Sequence, residues 1–218
     1  MDDYILNIKT VQSGAFRILI EALKEILTDG NLIFDETGMK LMAMDSTHTI
    51  LIHMKLEACN FEFFHCPVKT VTGVNMLNLF KLIKTMTNSE TLTLFIEKNN
   101  ENSLGIRINN TEKNSQTTYK LNLLDIPEDN IVIPPAEFET ELSYPSSDFQ
   151  KIIRDMVNIG ENIEIKSIGP QLILNCTGDF ASQETILGET NNGLKFNQTT
   201  SEDKPVQGMY SLKYLMLF

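Results

Sequence analysis

An internal repeat is the feature that most constrains the fold of this 218-residue chain. Five apolar residues recur 133 positions later, and a second group of four residues recurs 132 positions later. The first group is Phe16, Leu19, Ile20, Leu23 and Ile26, matched by Phe149, Ile152, Ile153, Met156 and Ile159. The second group is Val74, Phe80, Lys81 and Ile83, matched by Val206, Leu212, Lys213 and Leu215. Nearly equal spacings at two distant places predict a duplicated domain of roughly 130 residues.

Apolar periodicity and turn residues predict helices and short strands in both copies. Helices are predicted at 13–27, 76–86, 147–159 and 209–218. Strands are predicted at 31–34, 39–44, 49–57, 61–66, 91–97, 104–109, 117–123, 162–167, 171–176, 180–187 and 194–199. Gly30 is expected to end the first helix, Ser146 or Ser147 to cap the third, and Gly38 to supply a positive φ in a hairpin turn. Each copy is therefore predicted to be α+β, with a mostly antiparallel sheet and two helices on one face.

The order of these elements divides the chain into two domains and a linker. The first domain is predicted at 1–124, an interdomain connector at 125–135 and the second domain at 136–218. Pro127, Pro134 and Pro135 cannot donate backbone hydrogen bonds and keep the connector extended. The first copy continues past Lys81 for three more strands, whereas the second stops five residues after Lys213. The second domain is thus expected to lack its last strands here, and the repeat predicts roughly forty to fifty further residues beyond 218.

Charge is segregated between the helices and the rest of the chain. The net charge is −11, but the predicted helices carry seven basic and four acidic residues, a net of +3 that leaves −14 elsewhere. Arg17 and Lys24 are two helical turns apart and share a direction, and the other helical basic residues also lie in pairs. If the two domains lie side by side, these residues form one basic surface. The alternative is that they are simply solvated, with Glu21 as a local partner for its neighbours.

Other patterns argue against membrane insertion, secretion and catalysis. No apolar run is long enough to cross a bilayer, and the N-terminus lacks the pattern of a secretory signal. Three unpaired cysteines without metal-ligand spacing are expected to be free thiols. The Asp45, Ser46 and His48 side chains are triad types, but they lack the strand–turn–helix context of a nucleophile. The sequence therefore predicts a protein that is not an enzyme and binds neither cofactor nor metal.

Four segments resemble the proliferating cell nuclear antigen family, the eukaryotic-type DNA sliding clamps. They are LMAMDSTHTIL at 41–51, GVNM at 73–76, YPSSDF at 144–149 and PVQ followed by LKYL within 205–215. The resemblance implies a homotrimeric, head-to-tail ring that encircles duplex DNA as a polymerase processivity factor in replication and repair. It implies DNA polymerase, a clamp loader and other enzymes with a short clamp-binding peptide as partners. It also implies a location in the nucleus or in a cytoplasmic viral replication site. The alternative is a checkpoint-type clamp subunit or non-catalytic scaffold of a hetero-oligomer.

The resemblance also implies roles for individual residues. The DNA-facing positions are Arg17, Lys24, Lys81, Lys84, Lys151, Arg154 and Lys213, and Ile18 departs from the family because many members have a basic residue there. The peptide pocket under the connector would contain Met44, His48, Leu51, Ile131, Ile133, Pro134 and Phe138, although 131–133 could instead be a packed strand. Tyr119 would lie at the subunit interface, where strand 117–123 meets strand 180–187 of a neighbour. Gly169 replaces the family's ubiquitin-accepting lysine, which puts that regulation in doubt.

Overall fold

The computed structural model describes residues 3–47, 50–128, 131, 137–198 and 204–217. The chain divides into two compact units, Met1–Val132 and Ile133–Phe218. Within the described residues, all strand pairs are antiparallel. In the same part of the chain, no helix combines the length and apolar character that a bilayer crossing requires.

The described part of the first unit contains two helices and two antiparallel sheets. Its elements are β1 (Tyr4–Thr10), α1 (Ser13–Ile26), β2 (Asp29–Asp35), β3 (Gly38–Met44), β4 (Leu51–Glu57), a 3-10 helix (Ala58–Asn60), β5 (Phe63–His65), β6 (Thr70–Asn75), α2 (Met76–Ile83), β7 (Thr91–Glu97), β8 (Asn100–Asn110) and β9 (Ser115–Asn122). One sheet has the strand order β5-β1-β7-β8-β9 and the other has the order β4-β3-β2-β6. A single core joins both sheets to both helices.

The two helices of the first unit bury one apolar stripe each and leave the other side to solvent. In α1 the stripe includes Phe16, Ile20 and Leu23, which recur at the spacing of one helix face. Helix α2 begins where the Asn75 side chain accepts a hydrogen bond from the Asn78 N–H at 2.9 Å. Because the buried stripes face the sheets, the basic residues of both helices remain on the opposite side.

The described part of the second unit repeats the beginning of the first. Its elements are β10 (Glu141–Ser143), α3 (Ser146–Val157), β11 (Asn162–Ile168), β12 (Gln171–Thr177), β13 (Ser182–Gly188), β14 (Lys195–Gln198), β15 (Val206–Ser211) and α4 (Leu212–Leu215). Its four-stranded sheet β13-β12-β11-β15 corresponds to β4-β3-β2-β6, and its β10-β14 pair corresponds to β1-β5. Within these described residues, β7, β8 and β9 have no counterpart.

The predicted repeat is confirmed by strand positions and by backbone hydrogen bonds. Strands β2 and β3 reappear as β11 and β12 at a constant spacing of 133 residues. At the start of α2, the Met76 N–H donates to the Thr28 carbonyl at 2.9 Å. At the start of α4, the Leu212 N–H donates to the Glu161 carbonyl, also at 2.9 Å. The duplication therefore extends to the way in which each second helix is joined to its sheet.

The fourth helix begins later than the sequence predicts, and this changes one correspondence in the repeat. Val206–Ser211 pairs with β11 as strand β15, so α4 begins at Leu212 rather than near Met209. The second helices of the two units thus match at a spacing of 136 residues instead of 132. A four-residue shift is about one helical turn and preserves the apolar pattern, which explains the error. Lys81 is the sixth residue of α2 and Lys213 the second of α4, so they do not occupy equivalent positions.

Several smaller expectations also differ from the structure. Helix α1 ends at Ile26 with Leu27 already extended, and Gly30 lies inside β2 instead of stopping the helix. Helix α3 follows Pro145, and its N-cap shows no side-chain hydrogen bond in the part of the chain described. Each unit contains two sheets rather than one, and the sequence missed strands β1, β6 and β10. The expected turn at Gly38 is confirmed by its φ of +144°.

Candidate nucleic-acid and peptide interfaces

The basic residues of the first unit lie on two helices that contact each other. Lys24 of α1 places its Nζ 4.8 Å from the centre of the Phe80 ring of α2. Lys81 follows Phe80, and Lys84 lies one turn further on, at the C-terminal end of α2. Both lysines are exposed. The packing of α1 against α2 therefore gathers four predicted DNA-facing residues, Arg17 included, on one pair of helices.

The four basic residues of the first unit differ in how far their charge is already compensated. Arg17 Nη1 lies 3.4 Å from Glu21 Oε2, and Lys24 makes an ion pair with Glu25; both basic side chains are partly buried. Within the described residues, neither Lys81 nor Lys84 makes a salt bridge. Lys81 and Lys84 are therefore the cations of this group that are most accessible to a phosphate.

Exposed Ile18 separates Arg17 from the next turn of α1, with 59% of its surface accessible. An apolar side chain cannot attract a phosphate, so this position adds no charge to the basic group. This agrees with the departure from the family pattern that the sequence showed. The basic surface of α1 is consequently weaker than two basic residues in succession would make it.

The second unit carries the other three predicted DNA-facing residues on its own helices. Lys151 and Arg154 are exposed on α3, one helical turn apart. Lys213 is exposed on α4, with its Nζ 5.7 Å from the Tyr214 ring centre. The seven residues thus form two local groups, one in each unit, and their common orientation toward DNA remains a prediction.

Two of the predicted peptide-pocket residues are adjacent at one end of the four-stranded sheet of the first unit. Met44 ends β3, Leu51 begins β4, and the two residues are paired across the strands. Both are exposed, by 38% and 37%, which is unusual for neighbouring large apolar side chains. Their position offers an apolar surface that an apolar peptide side chain could cover.

The remaining pocket residues are not gathered by the structure. His48, Ile133 and Pro134 lie outside the described residues. Ile131 is partly buried in the first unit, whereas Phe138 belongs to the second unit and is 66% exposed. The assignment of these five residues to one pocket therefore stays a prediction.

A buried carboxylate shapes the turn between Met44 and Leu51. Asp45 is only 4% exposed, and its Oδ1 accepts a hydrogen bond from the Ile50 N–H at 2.7 Å. Its Oδ2 accepts from the Thr47 N–H at 3.2 Å and from the Thr47 hydroxyl. Sequence reasoning considered Asp45 only as a triad residue and missed this role. An aspartate two residues before a threonine is typical of such a turn and was the available signal.

Exposed strand edges occur at both places predicted for the subunit interface. Strand β9 is the outer strand of the five-stranded sheet, and β13 is the outer strand of the four-stranded sheet in the second unit. Tyr119 lies on β9 opposite Ile106 and is partly buried. Each edge presents backbone groups that another strand can pair with. The role of Tyr119 in such pairing remains a prediction.

The three cysteines are free in the structure. Burial is the largest effect on Cys66 and Cys176, and it raises the pKa of both thiols above the ordinary value. A raised pKa keeps a thiol protonated and a poor nucleophile at neutral pH. Among the described residues, no cluster of His, Cys, Asp and Glu side chains is arranged to hold a metal ion.

Comparison with known proteins gives a consistent family for the whole chain. The family described as proliferating cell nuclear antigen, N-terminal domain, matches residues 5–130, and the corresponding C-terminal domain matches residues 132–218. The probable DNA polymerase sliding clamp 1 of Paramecium bursaria Chlorella virus 1 is 35% identical over 221 residues, covering 100% of this chain and 83% of that protein. The proliferating cell nuclear antigen of Chaetomium thermophilum is 28% identical over 216 residues, covering 98% of this chain and 83% of that protein. Neither name supports the checkpoint-type alternative. The chain belongs to the proliferating cell nuclear antigen family.

Proposed function

We propose that this protein is a subunit of a DNA sliding clamp that encircles duplex DNA and keeps a polymerase on its template. The observation that carries the proposal is the set of exposed basic residues on the helices of a chain with a net charge of −11. They are Lys81, Lys84, Lys151, Arg154 and Lys213. Family membership and the name of the viral relative, a probable DNA polymerase sliding clamp, support the same function. The proposed role is non-catalytic and uses no cofactor.

The chemistry of these residues suits a protein that moves along DNA. Contacts to phosphates carry no sequence information, so a ring that uses them can pass any sequence. Four of the five exposed residues are lysines, whose hydrated point charge forms looser contacts than the planar guanidinium of arginine. A ring held by topology needs only such transient contacts, because many simultaneous phosphate contacts would slow its movement.

Ring closure is proposed to use the two exposed strand edges. In a head-to-tail arrangement, β9 of one subunit pairs with β13 of the next, and Tyr119 lies at this interface. The edges differ, so repeating the contact produces a heterologous assembly that closes into a ring when the rotation per subunit permits it. We propose a homotrimer, as the family resemblance implies.

Partner recruitment is proposed to begin at the exposed Met44–Leu51 pair. An extended peptide with aromatic anchors can place an apolar side chain there and run beside the connector. DNA polymerase, the clamp loader and other replication or repair enzymes are the proposed carriers of such peptides. His48, Ile131, Ile133, Pro134 and Phe138 are the other proposed contacts.

The proposed role places the protein where DNA is replicated, in the nucleus or in a cytoplasmic viral replication site. Fluorescent tagging of the full-length protein in its host, with labelling of newly made DNA, discriminates between these two sites. Signal that avoids replicating DNA in both compartments contradicts the assignment.

A primer-extension assay tests the function directly. On a primed circular template, the protein with a cognate polymerase and clamp loader should lengthen the products of single binding events. The charge-reversed double variant Lys81→Glu/Lys84→Glu should shorten them again, whereas Lys98→Glu, in the turn between β7 and β8, is the matched control. Products of unchanged length with the wild-type protein would refute the proposal. Light scattering during size-exclusion chromatography tests the trimer, and a monomeric mass would refute ring formation.

A further inference from the structure

The chain leaves β9 along the edge of β6, within the first unit. The Leu124 N–H donates to the Gly73 carbonyl at 2.8 Å, and the two residues form an isolated antiparallel bridge. A methyl group at Gly73 would lie 2.2 Å from the Leu124 carbonyl oxygen and 3.0 Å from the Ile126 side chain. The absence of a side chain at Gly73 is therefore what allows the departing segment to approach this closely.

Asn31 holds the next two residues of the same segment. It lies on β2 directly opposite Gly73, and its Nδ2 donates to the Ile126 carbonyl at 3.1 Å and to the Pro127 carbonyl at 3.3 Å. Pro127 has no N–H, so a regular ladder cannot continue along this edge. The side-chain amide of Asn31 thus takes over from the backbone where ladder pairing stops.

The geometry around Asn31 comes with an unfavourable contact. Its Oδ1 is buried and has no hydrogen-bond partner among the residues that the structure describes. Turning the amide over would place this oxygen against the two carbonyl oxygens, which is worse. A buried acceptor that is left unsatisfied lowers stability, so a residue that tolerates one has another use.

The other polar link to this segment is weak. Lys69 Nζ lies 2.9 Å from Glu128 Oε2, but the two side chains are 56% and 51% exposed. Exposed ion pairs of this kind add little to stability. Among the described contacts, the amide of Asn31 and the bridge at Gly73 therefore hold the segment in place.

The repeat supplies an internal comparison. At the spacings that relate the two sheets, Glu164 occupies the position of Asn31 and Met209 that of Gly73, and these two are again paired across the strands. A glutamate carboxylate cannot donate a hydrogen bond to a carbonyl, and Met209 carries a long side chain. The combination of amide donor and glycine thus occurs in the unit whose chain continues into the proposed connector.

We infer that Asn31 is a positioning residue for partner-peptide binding, which it serves by fixing, together with Gly73, the point at which the connector leaves the first unit. This inference rests on the proposed function of the connector as one wall of the peptide pocket. A wall that is held before the peptide arrives does not have to be ordered during binding, so less affinity is lost. Asn31 itself is not proposed to touch the peptide.

The test compares Asn31→Asp with the wild-type full chain. Aspartate has the same shape but cannot donate, and its charge faces the two carbonyl oxygens. Hydrogen exchange at the Leu124 amide should be faster, and the Kd of a fluorescein-labelled synthetic peptide with two adjacent phenylalanines should rise by about fivefold. Asn31→Gln, which retains an amide donor, should recover part of the affinity. Asn99→Asp, an exposed turn residue, controls for the added charge and should change neither measurement.

The outcomes separate this inference from the proposed function. Peptide binding by wild type that Asn31→Asp leaves unchanged overturns the inference, as does weaker binding without faster exchange at Leu124. Failure of the wild-type protein to bind the peptide instead overturns the proposed pocket. If Asn31→Asp does not fold, Asn31→Ser takes its place, because the short hydroxyl cannot reach both carbonyls.

Discussion

The ammonium group of Lys24 lies 4.8 Å from the centre of the Phe80 ring, and Lys24 also pairs with Glu25. A cation held between an aromatic face and a carboxylate has less charge to offer to a phosphate than a solvated one. Lys81, the residue after Phe80, is exposed and without a salt bridge in the described part of the chain. Neighbouring cations on one pair of helices should therefore contribute unequally to DNA binding.

The first prediction concerns the salt dependence of binding to linear duplex DNA. Replacing Lys81 and Lys84 together by glutamine should lower the slope of log affinity against log salt by about 1.8, because each phosphate contact contributes about 0.9. Replacing Arg17 and Lys24 together should lower it by less than half as much. Fluorescence titrations across a range of salt concentrations measure both slopes. Equal reductions in the two double variants would contradict the unequal contribution.

The second prediction concerns the packing of Gly105 against Phe95 in the five-stranded sheet. A methyl group at Gly105 would lie 2.3 Å from the Phe95 ring, which is 2% exposed and cannot move into solvent. Gly105→Ala should lower the free energy of unfolding by about 1–3 kcal/mol through overpacking. Gly188→Ala is the matched control, since no atom lies within 4 Å of the added methyl group. Urea unfolding of both variants checks this, and a neutral Gly105→Ala would show that the ring can shift.

The sequence predicted the parts of the fold in which the repeat is free of insertions. From α1 to β3 the second copy follows the first at a constant spacing of 133 residues, so the strand positions of β11 and β12 followed directly. After β13 the spacing changes, and apolar periodicity alone cannot detect a shift of one helical turn. For this reason α4 was placed early and Lys213 was matched to Lys81.

Local patterns also explain which site residues could be found. Met44 and Leu51 flank a turn, so their pairing across a hairpin was accessible from the sequence. The role of Asn31 depends on carbonyl groups 95 and 96 residues away, which no local pattern encodes. Residues that act through distant backbone atoms were consequently the ones that sequence reasoning missed.

The third prediction concerns Asp45, whose carboxylate organises the turn beside Met44 and Leu51. Asp45→Ala removes both acceptors and leaves the Ile50 N–H, bonded to Oδ1 at 2.7 Å, without this partner. The free energy of unfolding should fall by about 1–3 kcal/mol, and the affinity for a partner peptide should fall as well. Asp45→Asn retains one acceptor oxygen and should lose less of both. Chemical unfolding and peptide titration provide the measurements, and an Asp45→Ala variant with unchanged affinity would separate the turn from the pocket.

The fourth prediction concerns pH and the Asp35 side chain at the β2–β3 turn. A hydrogen bond from Lys40, with Nζ–Oδ2 of 2.6 Å, is the main cause that lowers the pKa of Asp35 well below its ordinary value, and the Thr37 hydroxyl adds to it. Because the folded state binds this proton less readily than the unfolded state, the stabilisation is present above the ordinary aspartate pKa. It is lost as the pH falls below that value toward the lower folded one.

Wild type should therefore lose more stability than Asp35→Asn when the pH is lowered from about 5 to about 3. Lys40→Met should reduce the same loss, since it removes the main cause of the lowered pKa. Urea unfolding at several pH values measures the difference between the wild-type and variant slopes. Parallel slopes for wild type and Asp35→Asn would mean that the Asp35–Lys40 pair does not couple folding to protonation.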